Sequence, residues 1–179
     1  MELASDPVPH PDIAPIAFLL GTWRGEGDGE FPTIRPFRYG ERMRFTHVGD
    51  PFLAYEQESW LLEDGSPLHF ERGFLRPVRE GRLELVLAHP LGIVEVSEGS
   101  VTGEHAERIL ELASVSIGLT TTGDRVTALE RHVEVRGDSM EYELRMATEE
   151  TPLTRHLRAE LRRAPEVRRR RRRPHEGKP

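Results

Sequence analysis

The feature that most restricts this chain is a repeated alternation of apolar and polar residues, cut at short intervals by glycine- and proline-containing turns. Period two is the mark of a strand with one buried face. Phe37, Tyr39, Met43 and Phe45 share one face, and Arg38, Arg42 and Arg44 the other. Leu83, Leu85 and Leu87 alternate with Arg82, Glu84 and Val86. Ile109, Ala113, Val115 and Ile117 share a parity. Leu129, Arg131, Val133 and Val135 alternate with Glu130, His132 and Glu134, and Met140, Tyr142, Leu144 and Met146 with Glu141, Glu143 and Arg145. Turn signals such as Glu63-Asp64-Gly65-Ser66 and Arg136-Gly137-Asp138 separate the segments. Only Pro15 to Leu20, followed by Gly21, predicts a helix, with proline in the first turn and glycine past the end. This pattern predicts an all-β fold: an antiparallel up-and-down β-barrel of about ten strands with one short N-terminal helix plugging an end. Closure removes exposed edges, and a barrel of this size has room for a ligand.

The length, 179 residues, suits one domain. No apolar run reaches the length of a transmembrane helix. The start, MELASDPVPHPD, is acidic and proline-rich rather than basic and apolar like a signal peptide. There is no cysteine, which excludes disulfides, thiolate metal sites and cysteine nucleophiles. These features point to a cytoplasmic protein with no membrane partner. Residues 162–179 carry nine positive charges against two negative, while the rest carries 16 against 29. The chain therefore divides into a flexible arm (1–11), an acidic barrel (12–163) and a basic, disordered tail (164–179). Nucleic acid is at most a weak contact of that tail; a homodimer stays open.

The residues that could carry chemistry are few. Gly21, Gly25, Gly27 and Gly29 run from helix to strand, the wrong order for a dinucleotide loop, and read instead as a tight helix exit capped by Trp23. There is no Gly-x-Ser-x-Gly elbow and no helical histidine pair. His10 and His175 sit in the loose ends; His47 begins a turn; His69 and His132 fall in strands as surface or core residues. His89, before Pro90, is a second-rank ligand candidate. His156 opens the last strand, but Leu157, Ala159 and Leu161 define the apolar parity, so strict alternation turns it outward. Either a bulge or the proline turn resets the phase, or the apolar parity packs outside the barrel. Arg131 shares parity with Leu129 and Val133, and an inward arginine needs an anion: a buried glutamate or a ligand carboxylate. No acid or base paired with a second group stands out to serve a distal pocket.

In this order, Gly21-Thr-Trp23-Arg-Gly25-Glu-Gly27, Phe31-Pro-Thr-Ile34, His47-Val-Gly-Asp-Pro51, Gly73-Phe-Leu-Arg-Pro77, Gly92 to Gly99 and Pro152-Leu-Thr-Arg-His156 resemble blocks of the nitrobindins. These are haem-binding ten-stranded barrels related in shape to fatty-acid-binding proteins. The resemblance covers about residues 12–163 and does not reach the tail. It implies one b-type haem per chain, with His156 as the axial iron ligand and Thr33 against the haem. A propionate then becomes the natural partner of Arg131. It also implies nitric oxide binding and isomerisation of peroxynitrite to nitrate, with these small molecules as ligands and no catalytic residue beyond the haem iron. The rival reading is a lipocalin-like carrier of an apolar anion such as a fatty acid, its carboxylate on Arg131. An interaction protein acting through the tail is a third.

Overall fold

The computed structural model describes residues 7–104 and 106–165. Ten strands follow in chain order: β1 (Gly21–Phe31), β2 (Ile34–Thr46), β3 (Leu53–Leu61), β4 (Pro67–Pro77), β5 (Arg82–His89), β6 (Ile93–Glu104), β7 (Glu107–Leu119), β8 (Val126–Arg136), β9 (Ser139–Thr148) and β10 (Thr154–Arg163). Each pairs antiparallel with its sequence neighbours, and β10 pairs back onto β1, closing the barrel. The expected ten-stranded up-and-down barrel is therefore the fold. Among the described residues no helix is long and apolar enough to cross a membrane.

Alternation builds most of the core as the sequence predicts. Leu83, Leu85 and Leu87 are buried from β5, Met140, Tyr142 and Leu144 from β9. β7 departs from it. Ala113 and Val115 are exposed, and the buried residues are Leu110 and Leu112 on the other parity. Val96 pairs with Ser116 and Ser97 with Ser114, which leaves Val115 as the extra residue of a bulge. The bulge shifts the phase by one, so Ile117 returns to the core while Ile109, Ala113 and Val115 do not share its face.

The N-terminal helix is a 3-10 helix, Pro11–Leu19, which begins earlier than Pro15 predicts and holds that proline inside it. Runs of 3-10 this long are uncommon, but the geometry stacks side chains three residues apart. Ile13, Ile16 and Leu19 have that spacing, and all three are buried in the barrel core. His10 is not a loose-end residue: its Nδ1 accepts from the Asp12 N–H at 3.2 Å and caps the helix. The helix exit is held at two points. The Trp23 indole donates to the Leu19 carbonyl at 2.8 Å. Arg163, at the end of β10, lies 4.1 Å above the Trp23 ring and donates to the carbonyls of Phe18 and Leu20. The glycine spacing has a steric cause: a Cβ at Gly25 would sit 1.9 Å from the Glu160 carbonyl oxygen of β10. Gly21 itself has φ near +115°.

The helix closes the end of the barrel where β1 begins. The opposite end is formed by the turn between β1 and β2 and by the start of β10. The arm up to residue 6 and the tail from residue 166, with His175, lie outside the described residues.

Candidate functional site

The barrel encloses a cavity of about 570 Å³, within the range of small-molecule and cofactor sites. Its walls are mainly apolar and aromatic, with Phe31, Phe45, Leu85, Leu129, Leu144 and Met146 among them. Leu19 of the helix closes one end. Thr33, in the two-residue turn after β1, and His156, near the start of β10, line the other.

His156 reaches the cavity because β10 is bulged there. Arg155 pairs with Arg145 of β9, and Leu157 pairs with Leu144, so His156 has no partner on β9. Arg155 and Arg158 are exposed while His156 and Leu157 between them both line the cavity. The bulge is the phase reset that the sequence left as one of two alternatives, and the apolar parity of β10 packs inside the barrel. The ring is then fixed in place. Its Nδ1 donates to the Glu30 carbonyl at 3.0 Å, and the Phe31 ring meets it edge-on at 5.5 Å. A nitrogen bonded to a carbonyl must carry the proton, so Nε2 keeps its lone pair. Burial, with His69 adding like charge, pushes the His156 pKa below the ordinary histidine value and keeps the ring neutral at neutral pH, despite the Glu30 bond.

Across the cavity the wall is different. In the ring of ten strands β5 stands five positions from β10, and the polar residues cluster on β4, β5, β6 and β8. Arg131 points inward, as its parity predicts. Its guanidinium donates to Glu95, and its other terminal nitrogen lies 3.4 Å from Glu71 Oε2. The anion it needs is therefore the buried glutamate of the two alternatives, and it is supplied twice. Tyr55 donates to Glu71 Oε1 at 2.8 Å, and Ser97 to Glu95 Oε1 at 2.5 Å. Burial works against ionisation of Glu71, yet Arg131 above all, then the nearby histidines, hold its pKa down at about 2. Glu95 is likewise lowered, burial again being outweighed by Arg131.

His69 and His89 face the cavity beside these carboxylates. Their rings are 5.4 Å apart between centroids, and His69 Nε2 lies 3.2 Å from His89 Nδ1. The expectation that no acid or base is paired with a second group is thus overturned. His69 is half-buried and hydrogen-bonded, in line with the expected satisfied residue, but its partner is a second histidine on the cavity wall. The signal was present: Glu71 and His69 share the parity of Leu75, and Glu95 that of Ile93. Charged residues on an apolar parity were the mark, as at Arg131. Glu41 is a third case. It is fully buried on the parity of Tyr39 and Met43, accepts from Tyr142 and Gln57, and is raised by burial to about 8. His132, by contrast, sits outside between Glu111 and Glu134, as its polar parity predicts.

Residues 12–163 match the family model described as the THAP4-like, haem-binding β-barrel domain. The chain is 48% identical over 154 residues to "Peroxynitrite isomerase 2" of Mycobacterium marinum, covering 86% of this chain and 96% of that protein. It is 48% identical over 167 residues to "Peroxynitrite isomerase" of Nocardia farcinica, covering 91% and 99%. The crystal structure of Rv2717c from M. tuberculosis superposes with a TM-score of 0.85 at 44% identity, covering 88% of this chain and all of that one. With the closed ten-stranded barrel and its internal cavity already in place, these matches show that the chain belongs to the THAP4-like haem-binding β-barrels, the nitrobindin family.

Proposed function

We propose that the cavity holds one b-type haem per chain, with His156 Nε2 as the axial ligand and Thr33 against the macrocycle, and that the protein isomerises peroxynitrite to nitrate and binds nitric oxide. The observation that carries this reading is the bulge at His156, which brings a neutral imidazole with a free nitrogen onto a large apolar cavity. The donor fits: His156 is a neutral imidazole among aromatic and aliphatic groups, with no cysteine in the chain to compete. Bound there, the iron supplies an open coordination position for nitric oxide or a peroxide oxygen.

The chain's own residues have three tasks in this reading. The Glu30 carbonyl fixes the His156 tautomer and orients its ring, the usual role of a partner behind a metal-bound histidine. Burial keeps that ring unprotonated, so a proton does not compete for Nε2. The apolar walls exclude water and keep a small anion and its fragments together until nitrate forms. Arg131 neutralises the glutamates of the opposite wall rather than meeting a propionate. The haem unit spans 12–163, with the arm and the basic tail outside it. The carrier reading loses its main support, since the inward arginine already has protein carboxylates as partners.

Hemin titration of the haem-free, full-length chain tests the cofactor. One equivalent should bind with a sharp Soret band that survives desalting; a chain indifferent to hemin would favour the carrier. The loaded protein should then yield more nitrate from peroxynitrite than the same amount of free hemin. An equal yield would remove the isomerase activity and leave haem binding standing.

A further inference from the structure

The polar wall holds a set of ligand atoms that the haem reading does not use. His69 Nε2, His89 Nδ1 and Glu71 Oε2 form a compact triangle. The two nitrogens are 3.2 Å apart, and the carboxylate oxygen lies 3.3 Å from His89 and 3.5 Å from His69. With metal–ligand bonds of roughly 2.0–2.1 Å, two donors at a tetrahedral angle sit about 3.3–3.4 Å apart. Three edges of a tetrahedron around a metal are thus already in place. We propose that His69, Glu71 and His89 form a binding site for a divalent transition metal of the zinc type on the wall of the barrel cavity, with the remaining position open to the cavity.

The surroundings of His89 support this assignment independently. Its side chain is only 5% exposed, and its second nitrogen, Nε2, has no hydrogen-bond partner. Nε2 faces Glu95 Oε2, which also lacks a partner, at 3.4 Å. Placing the proton on Nε2, the side nearer Glu95, would leave the Nδ1 lone pair for the triangle, as in the carboxylate–histidine–metal arrangement. Arg131 and Ser97 hold the other oxygen of Glu95, and Tyr55 the other oxygen of Glu71. A polar group therefore stands behind both Glu71 and His89. The charges agree as well. Two buried carboxylates face one guanidinium, an excess of one negative charge on this wall. Two imidazoles and a carboxylate suit zinc, cobalt or ferrous iron rather than magnesium or calcium, which take oxygen ligands. Three protein ligands with one position free is the pattern of catalytic rather than structural zinc. The site is independent of the haem reading, since it shares no ligand with it.

Equilibrium dialysis of the haem-free, full-length chain against zinc, with metal analysis, tests the site. One zinc per chain is expected, and cobalt in its place should give the intense visible bands of a tetrahedral ion. His69→Ala and His89→Ala should each weaken zinc binding at least about 100-fold, and Glu95→Gln about 10- to 100-fold. His156→Ala and His132→Ala should bind as the wild type does. If buried His89→Ala does not fold by circular dichroism, His69→Gln, at a half-buried position, decides in its place. No stoichiometric zinc, wild-type binding by the His69 variants, or loss of zinc in His156→Ala would overturn the proposal. Hemin uptake measured in parallel keeps the readings apart. Zinc without hemin defeats the haem reading alone, and hemin without zinc defeats this one alone.

Discussion

His156 and His89 stand on opposite walls of one barrel, and their surroundings differ in kind. His156 has a backbone carbonyl behind it and aromatic and aliphatic groups around it. His89 has two carboxylates within 3.4 Å, a second histidine beside it, and Arg131 bound to the same carboxylates. A neutral partner leaves an imidazole neutral and its lone pair free for a large apolar cofactor. Carboxylate partners instead create a negative pocket that attracts a small cation. In the two proposals, the same side chain is prepared for two different ligands by what stands behind it.

Breaking the charged wall should give the largest effect. Arg131→Leu leaves Glu71 and Glu95 buried without their guanidinium, which costs about 3–5 kcal/mol. The haem-free protein should then melt roughly 6–20 °C lower for a chain of this size. An unchanged or higher melting temperature would mean that the ion pairs do not hold this wall, and would return Arg131 to the role of a ligand partner.

Breaking the apolar wall should leave the fold alone and remove the cofactor. His156→Ala should lower hemin affinity at least about 100-fold, or roughly 2.7 kcal/mol, with an unchanged circular dichroism spectrum. The Soret band after desalting reads this directly. A protein bleached by His89→Ala and not by His156→Ala would move the axial ligand across the cavity.

Glu41 sharpens the contrast, because it is a buried carboxylate with hydroxyl and amide partners but no guanidinium bonded to it. Burial raises its pKa from 4.5 to about 8. The folded state thus holds a proton that the unfolded chain releases. Stability is full below about pH 4.5 and is lost as pH rises through 8, by up to about 1.4 kcal/mol per pH unit. Glu71 behaves oppositely: its contribution is present above pH 4.5 and is lost as pH falls towards 2. Glu41→Gln cannot ionise, so its gain in melting temperature over the wild type should grow from pH 5 to pH 8. A gap that stays constant across that range would show that Glu41 does not change charge there.

The smallest effect is expected outside both walls. Truncation after Ala164 removes most of the basic tail, whose composition cannot build a core. Hemin affinity and nitrate yield should not change measurably. A large loss in either would mean that the tail reaches the cavity.

The barrel was legible because strand alternation is local: Leu83, Leu85 and Leu87 need only their own neighbours to declare a face. The block around Trp23 was legible for the same reason, since close contact between β1 and β10 demands glycine at Gly25. Of the bulges in β7 and β10, the first was not legible and the second was only one of two alternatives. An extra residue in a strand changes the phase without changing residue type, so Val115 and His156 look like ordinary strand positions. The pairing register, decided between strands, is what turns His156 inward.

The polar wall lies between these cases. Parity alone marks Glu41, Glu71, Glu95 and Arg131 as charges on buried faces. What parity cannot say is which of them meet. Glu71 and Arg131 are 60 positions apart, and Glu95 and Arg131 are 36. The sequence by itself therefore determined the strands, the closed barrel and one inward charge, Arg131; the glutamates on the same buried faces carried a signal that went unread. Only the tertiary structure decided which charges cancel and which histidine faces which wall, because those choices depend on distances across a closed barrel that no local pattern encodes.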